Sequence, residues 1–326
     1  MTEPLDRIDR EICAALLRNG RASWRQIAQA TALQERTVAR RGARLLEQGL
    51  VRVNAFLQHS RMGRGDAYIA RLSCAPQRLR ETANWLAHRS ETLWVTTLTS
   101  ESAVVAECFL KPDLLAPFVE EELGAQAVEG FSFAPINRYF RTVRGWQPNV
   151  LKTEQLDQLG EDESFALLAS ERPSPEFDQT DFDIASLLSR DGRMSIDAIS
   201  STLGIAKPTA SKRIQRLQQS DALSIRAVID PALFGLPFEA MVTACAPLAQ
   251  LETIGSALAA NWSTRWVAET ASESAVRALV ALPDRQHLAL LLHDLETGIG
   301  PETVRPRAEQ LLTMYKRSDI LTSAAG

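Results

Sequence analysis

Leu203 to Leu217 reads Leu-Gly-Ile-Ala-Lys-Pro-Thr-Ala-Ser-Lys-Arg-Ile-Gln-Arg-Leu and predicts a tight turn that leads into a short helix. Gly204 suits the turn, and Pro208 suits the first turn of a helix, where a backbone amide has no partner anyway. Ile214 and Leu217 are expected to face inward. The residues left for the outer surface are basic or small and polar, namely Lys207, Thr209, Ser211, Lys212, Arg213 and Arg216. This mixture is typical of a helix that enters a DNA groove.

The composition is that of an ordinary globular chain. Its 326 residues are 45% hydrophobic and 23% charged with a net charge of -4, so any contact with DNA has to come from local basic patches. The four cysteines are scattered and form no Cys-x-x-Cys pair, which predicts neither a zinc site nor a disulfide framework. No apolar run approaches the ~18 residues of a membrane span, and the N-terminus lacks the apolar core of a signal peptide. We therefore expect a cytoplasmic protein without a cofactor.

An internal repeat relates the two halves of the chain. Sliding the sequence by 172 positions superimposes the halves without a gap over long distances. The matched pairs include Asp9/Asp181, Ile12/Ile184, Gly20-Arg21/Gly192-Arg193, Thr37/Thr209, Arg41/Arg213, Leu45/Leu217, Trp94-Val95/Trp266-Val267 and Ser100-Glu101-Ser102-Ala103-Val104/Ser272-Glu273-Ser274-Ala275-Val276. A polar stretch rich in acidic residues and proline lies between the copies and is interpreted as a linker.

The start of each copy predicts three helices and a wing. In the first half, apolar residues from Leu5 to Arg18 recur at helical spacing, and Ser23 with Gln26 forms a capping box for a second helix. Glu35 to Glu47 predicts a third helix that points Arg36, Arg40, Arg41 and Arg44 largely outward. Leu50 to Leu57 alternates as a strand pair would, which completes a winged helix-turn-helix.

The rest of each copy predicts strands and helices in the order βαββαβ, the ferredoxin-like arrangement of two helices on one face of an antiparallel sheet. A sheet from the other half is expected to cover the remaining apolar face. The fold class is therefore α+β, with two copies of a winged helix-turn-helix followed by a ferredoxin-like domain. The predicted boundaries are 1–58 and 177–230 for the winged helix-turn-helix domains, 64–145 and 236–318 for the ferredoxin-like domains, and 146–176 for the linker.

This combination, with Ile225-Arg226-Ala227-Val228-Ile229-Asp230-Pro231 and Phe234-Gly235, resembles the Lrp/AsnC family of transcriptional regulators over nearly the whole chain, twice. The resemblance implies that the second helix of each helix-turn-helix enters the major groove and that the ferredoxin-like sheets pair. It implies a tandem form, a dimer folded into one polypeptide. Carried over by position, the DNA-facing residues are Arg36, Thr37, Arg40, Arg41 and Arg44, with Lys207, Thr209, Ser211, Lys212, Arg213 and Arg216.

The resemblance also implies an effector site at the turn between the two middle strands of the ferredoxin-like domain, where the family carries a glycine followed by an acid. Both copies here read Ser-Glu-Ser-Ala, which keeps an acid and loses the glycine that permits a positive φ. The effector candidates are Ser100, Glu101, Ser102, Ser272, Glu273 and Ser274, and a purely structural turn stands as the alternative. Ala32 replaces the turn glycine that the second half keeps as Gly204.

Three functions fit the pattern. The preferred one is a sequence-specific DNA-binding regulator, modulated by an amino acid or other small molecule, with double-stranded DNA as partner and no membrane. Its chain is a pseudo-dimer, alone or in a larger homo-oligomer. The alternative is a fused enzyme similar to the siroheme decarboxylases of haem biosynthesis. Those enzymes carry a histidine-containing turn where this chain has Ser-Glu-Ser-Ala-Val in both halves, so we expect no enzyme. A third is an interaction module whose helix-turn-helix domains are structural.

Overall fold

The computed structural model describes residues 4–57, 65–160, 176–271, 274–300 and 303–325. They divide into two compact units, one of residues 1–62 and 144–235 and the other of residues 63–143 and 236–326. Both helix-turn-helix copies therefore lie in the first unit, the helix-turn-helix unit. Both ferredoxin-like copies lie in the second, the sheet unit.

The helices and strands of the first half are α1 Arg7–Arg18, α2 Trp24–Thr31, α3 Glu35–Glu47, β1 Val51–Leu57, β2 Asp66–Cys74, α4 Leu79–Ala87, β3 Thr92–Leu98, β4 Ala103–Leu110, α5 Pro112–Pro117 and β5 Val128–Arg141. A helix in the linker region is α6 Thr153–Gln158. Those of the second half are α7 Gln179–Arg190, α8 Ile196–Leu203, α9 Lys207–Gln219, β6 Leu223–Ile229, β7 Phe238–Cys245, α10 Leu248–Ala260, β8 Thr264–Thr270, β9 Ala275–Leu282, α11 Arg285–Ile299, β10 Arg305–Arg317 and β11 Ile320–Leu321. The α+β class and the βαββαβ order of each ferredoxin-like copy are confirmed.

Each helix-turn-helix copy has a small core built from one face of each of its helices. In the second copy, Ile184, Leu188, Ile199, Ile214 and Leu217 are buried together. The predicted capping box of α2 is present, because Ser23 Oγ accepts from the Gln26 amide at 3.2 Å and Gln26 accepts from the Ser23 amide at 2.9 Å. The apolar spacing and the caps therefore predicted these helices correctly.

The wing differs from its prediction. Leu50 to Leu57 does not form a strand pair; it forms the single strand β1, which pairs antiparallel with β6 of the other half from Val51↔Ile229 to Leu57↔Leu223. A backbone ladder needs a second strand, and the repeat supplies it from the other copy. The prediction was wrong because it sought the partner strand within one copy. The resulting two-stranded sheet joins the copies.

The described part of the linker packs on the first helix-turn-helix. Gln155 Nε2 of α6 donates to the carbonyl of Ala30 at 3.0 Å, and Asn19 Nδ2 donates to the carbonyl of Leu159 at 3.0 Å. Leu159 is fully buried. The remaining linker residues, 161–175, lie outside the described residues. This segment therefore adds a helix to the first copy, and the described residues show none like it on the second.

The strands of the sheet unit form a closed ring. Their order is β10-β3-β4-β2-β5-β8-β9-β7, and β7 pairs again with β10. Closure depends on two long strands that change partner: β5 pairs first with β2 and then with β8, while β10 pairs first with β7 and then with β3. The second half thus covers the open sheet face of the first, as predicted, and the ladder is continuous between them.

Alternate residues along each strand face either the helices or the space enclosed by the ring of strands. On β4, Val104, Ala106 and Cys108 pack in a core with α4. The buried indoles of Trp94 and Trp266, which the repeat matches, stack edge to face across the two halves with ring centroids 5.9 Å apart. Both tryptophans are buried in the core of this unit.

Buried polar residues also lie in this unit, and they differ between the halves. Glu107 is 1% exposed and accepts a hydrogen bond from Tyr139 Oη at 2.5 Å. Burial raises the pKa of Glu107 to about 7, although the hydrogen bond from Tyr139 and the indoles of Trp266 and Trp94 oppose the shift. The positions matched by the repeat are Leu279 for Glu107 and Leu311 for Tyr139. One buried acid therefore has no counterpart in the other half.

Candidate nucleic-acid interface

The turn before each candidate DNA-reading helix has the same backbone conformation in the two copies. Ala32 has φ 55° and Gly204 has φ 65°, both in the left-handed region. Glycine adopts this conformation freely, whereas a residue with a Cβ pays about 1–2 kcal/mol. The substitution of alanine for glycine therefore leaves the shape of the first turn unchanged and costs stability there.

In the first copy, two of the predicted DNA-facing arginines are held against the start of α1. Arg41 lies 2.5 Å from Asp6 Oδ2 and 3.1 Å from Asp9 Oδ1, and Arg44 pairs with the other oxygen of Asp9. Asp9 is 3% exposed, so its charge needs these partners. The Asp9 amide and the Arg41 guanidinium together lower the pKa of Asp6, and Asp6 and Asp9 raise that of Arg41.

The second copy repeats this arrangement at the matched positions. Arg213 lies 2.8 Å from Asp178 Oδ1 and 2.9 Å from Asp181 Oδ1, and Arg216 lies 3.7 Å from Asp181 Oδ2. Asp181 is fully buried, and the Arg213 guanidinium is the main cause of the lowered pKa of Asp178. We call these two sets of ion pairs the helix clamps. They fix α3 on α1 and α9 on α7, a role that residue type alone did not reveal.

The other predicted DNA-facing residues lie on the open face of the two helices. Arg36, Arg40 and Lys212 are exposed and make no ion pair with any residue that the structure describes. Lys207 is exposed as well, and its Nζ lies 2.9 Å from Asp197 Oδ2. The hydroxyl-bearing candidates are half-buried Thr37 and exposed Thr209 and Ser211. This face offers cations and hydroxyl groups, the side chains that contact phosphates and base edges.

A reciprocal pair of arginines holds the two copies together. Arg21 Nη2 donates to the carbonyl of Met194 at 3.1 Å, while Arg193 Nη1 donates to the carbonyl of Gly20 at 2.7 Å. The Arg193 guanidinium also lies 4.7 Å from the ring centroid of Trp24. The repeat matched Gly20-Arg21 with Gly192-Arg193, but nothing in one copy alone indicates that these residues face the other copy. With the β1–β6 ladder they make the helix-turn-helix pair one body.

The serine–glutamate turn of the first half is engaged within the protein. Ser100 Oγ donates to Glu309 Oε1 at 2.6 Å, and Ser102 Oγ donates to the carbonyl of Cys74 at 2.6 Å. Arg71 pairs with both Glu101 and, at 2.7 Å, Glu309. Two carboxylates thus share one guanidinium at the predicted effector turn.

The matching turn of the second half is described only in part. Ser272 and Glu273 lie outside the described residues, and Ser274 has φ 48°. The repeat places Thr243 at the position of Arg71 and Asn137 at that of Glu309. The repeat therefore does not carry the arginine and the second acid of the first turn over to the matched positions of the second half.

His88, His287 and His293 are each exposed on or beside helices. Within the described ranges, no three His, Cys, Asp or Glu side chains are grouped so as to hold a metal ion. In the same residues, no helix is long and apolar enough to cross a membrane.

Comparison with known proteins places the helix-turn-helix copies in a family. The AsnC-type helix-turn-helix domain matches residues 5–46 and 177–218. The HTH-type transcriptional regulator Ptr1 of Methanocaldococcus jannaschii is 31% identical over 36% of this chain and 82% of its own length. AldR, an HTH-type transcriptional regulator of Mycobacterium tuberculosis, is 40% identical over 22% of this chain, and the match spans only 40% of AldR.

The fold of this chain also resembles that of a solved structure. The crystal structure of the siroheme decarboxylase NirDL superimposes with a TM-score of 0.65, covering 98% of this chain and 94% of that chain. The sequence identity is 13%. Such a likeness shows a shared fold and leaves the chemistry of each protein to its own residues.

Proposed function

Because this chain belongs to the Lrp/AsnC family of DNA-binding transcriptional regulators, we propose that it binds specific DNA sequences through two reading helices, α3 and α9, presented by one polypeptide. The observation that carries the proposal is the division of basic residues on both helices. The clamp arginines are used inside the protein, while Arg36, Arg40 and Lys212 stay exposed. An exposed cation needs a partner outside the chain to contribute binding energy, and DNA phosphates and bases provide one.

The structure narrows the set of DNA-facing residues proposed from the sequence. Arg41 and Arg213 bind two carboxylates each, and moving either toward DNA would leave buried Asp9 with Arg44 alone or buried Asp181 with Arg216 alone. We therefore assign Arg41, Arg44, Arg213 and Arg216 to the helix clamps. The residues that we assign to DNA are Arg36, Thr37, Arg40, Lys207, Thr209, Ser211 and Lys212.

Charge reversal on the two reading helices tests this function. The double variant Arg40→Glu with Lys212→Glu is expected to abolish shifts of genomic DNA fragments in electrophoresis, because each glutamate repels the phosphate backbone. The matched control is Arg80→Glu with Lys111→Glu, which makes the same change in net charge at exposed positions of the sheet unit. Retained binding in the first variant, or equal loss in both, would contradict the proposal.

We propose that the chain acts as a pseudo-dimer, since β1–β6 and the closed ring supply from within one polypeptide the pairing that two subunits make in a dimer. Light scattering coupled to size exclusion measures whether the chain is monomeric or associates further. A monomer that binds DNA with both helices supports the pseudo-dimer. A chain that binds only as a multimer whose size rises with concentration contradicts it.

We further propose that a small-molecule effector acts at the serine–glutamate turns. At the first turn, a ligand with an amino group has to compete with Arg71 for Glu101 and Glu309. Thermal unfolding in the presence of single amino acids tests this site. A stabilising ligand whose effect is lost in Glu101→Gln supports it, whereas a ligand shift that survives Glu101→Gln and Glu273→Gln together places the effector elsewhere.

The alternative of a siroheme decarboxylase-like enzyme rests on the likeness of fold to NirDL. We propose a regulator and no enzyme, because the described turn of the first half presents serines and a glutamate that are bonded within the protein. Addition of an iron tetrapyrrole tests the alternative. A bound-haem absorption band together with loss of carboxylate from the added compound would overturn our proposal.

A further inference from the structure

The two reading helices share their clamp residues and differ along their exposed face. The matched pairs that are identical include Thr37/Thr209, Arg41/Arg213 and Arg44/Arg216. The pairs that differ along the open side are Glu35/Lys207, Arg36/Pro208, Ala39/Ser211, Arg40/Lys212 and Ala43/Gln215. The surface available to bases therefore has a different chemistry in each copy, although the frame that carries it is the same.

The first helix, α3, presents two guanidinium groups that form no ion pair with any described residue. Arg36 and Arg40 are four residues apart, so they lie on one face of α3, and both are exposed. The guanidinium has a planar fork of donors that matches the O6 and N7 acceptors of guanine in the major groove. This helix can therefore distinguish guanine from the other bases.

The second helix presents no comparable guanidinium. Pro208 stands at the position of Arg36, and Arg213 and Arg216 are held by the clamp. Lys207 is an exposed point charge shared with Asp197, and Lys212 carries a second. Ammonium groups contact phosphates without a fixed geometry. The hydroxyl groups of α9 can donate to or accept from the edge of either base of a pair, so they distinguish bases weakly.

We propose that the two helices have different tasks: α3 selects a guanine-containing half-site through Arg36 and Arg40, and α9 anchors the adjoining half-site mainly through its phosphates. The target element is then asymmetric. This inference rests on the proposed DNA-binding function and adds to it which copy chooses the sequence.

Selection from a pool of random duplex DNA by the full chain tests the inference. Two unlike half-sites are expected, one with a fixed guanine and one with weak base preference. Two identical half-sites in inverted order would overturn the division of tasks and leave the DNA-binding function in place. Failure to retain any preferred DNA would overturn the proposed function itself.

Paired variants then assign the guanine to α3. Arg36→Lys keeps the charge and removes the fork, so its affinity for the selected site should fall roughly 5- to 150-fold, while its affinity for a site lacking that guanine stays unchanged. The control Lys212→Ala should weaken binding to all sequences alike and reduce the salt slope by about one. Equal effects of Arg36→Lys on both sites, or of Lys212→Ala on one site alone, would contradict the assignment.

Discussion

The raised pKa of Glu107 allows a quantitative test of how fully this side chain is buried in the sheet unit. Burial raises its pKa from 4.5 to about 7, so the folded chain keeps a proton there that the unfolded chain releases. The folded state binds more protons between these two values, and stability therefore falls as pH rises from about 4.5 to about 7. The loss is absent below this window and complete above it.

The expected size follows from the shift. About 2.5 pKa units at 1.36 kcal/mol each correspond to roughly 3 kcal/mol of unfolding free energy. Glu107→Gln cannot ionise, so it should escape this loss. The difference in unfolding free energy between Glu107→Gln and the native chain should shift by up to about 3 kcal/mol in favour of the variant between pH 4.5 and pH 8. Any effect of the amide itself is independent of pH and does not alter this shift.

Urea unfolding followed by tryptophan fluorescence at several pH values measures this difference. Glu239→Gln is the matched control. Burial disfavours the charged form of Glu239, but Arg317 and Arg265 outweigh it and lower the pKa to about 2. The pKa of Glu239 lies below pH 6 in both the folded and the unfolded chain, so Glu239→Gln should lower stability equally from pH 6 to pH 8. If Glu107→Gln and the native chain show parallel pH dependence, Glu107 is ionised in the folded protein and the reasoning fails.

The remaining predictions concern the helix-turn-helix unit. Gly204→Ala should lower the free energy of unfolding by about 1 kcal/mol, because residue 204 has a φ of 65° that disfavours a Cβ. No described atom lies within 4 Å of the added Cβ, so the backbone conformation is the only cost. Ala32→Gly should raise the free energy of unfolding by about the same amount, and urea unfolding measures both variants. Asp181→Asn leaves Arg213 without its buried carboxylate and should cost about 3 kcal/mol in the same assay. DNA affinity of Asp181→Asn at a temperature where it is folded should change less than that of Lys212→Glu; a larger change would show that the clamp arginine contacts DNA.

The sequence predicted much of the fold because each element carries its own local signal. The limits of α3, from Glu35 to Glu47, follow from apolar spacing and from the turn before it. The wing did not follow, because β1 finds its partner 172 positions further on in β6. The closing of the ring was likewise missed, since a strand such as β5 gives no sign in its own residues that it changes partner midway.

The DNA-facing residues show a related limit. An arginine on a helix face has the same helical position whether it contacts DNA or a neighbouring carboxylate. Arg40 and Arg41 are adjacent, yet one is exposed and the other binds Asp6 and Asp9. The repeat contained the missing signal, because it matched both the aspartates and the arginines of the two copies, and Asp9 contacts Arg41 just as Asp181 contacts Arg213. Their joint retention in the two copies indicates a contact more directly than either residue alone.

Fusion of the two copies permits differences that a symmetric dimer excludes. A two-fold dimer repeats every residue on both sides of its axis. Trp94 and Trp266 stack against each other, and both indoles lie near Glu107. A dimer made of two first halves would bring two such carboxyls to one tryptophan pair, and like charges in a buried site oppose each other. With Leu279 at the matched position, the chain buries a single acid there. The same freedom lets one reading helix carry Arg36 while the other carries Pro208.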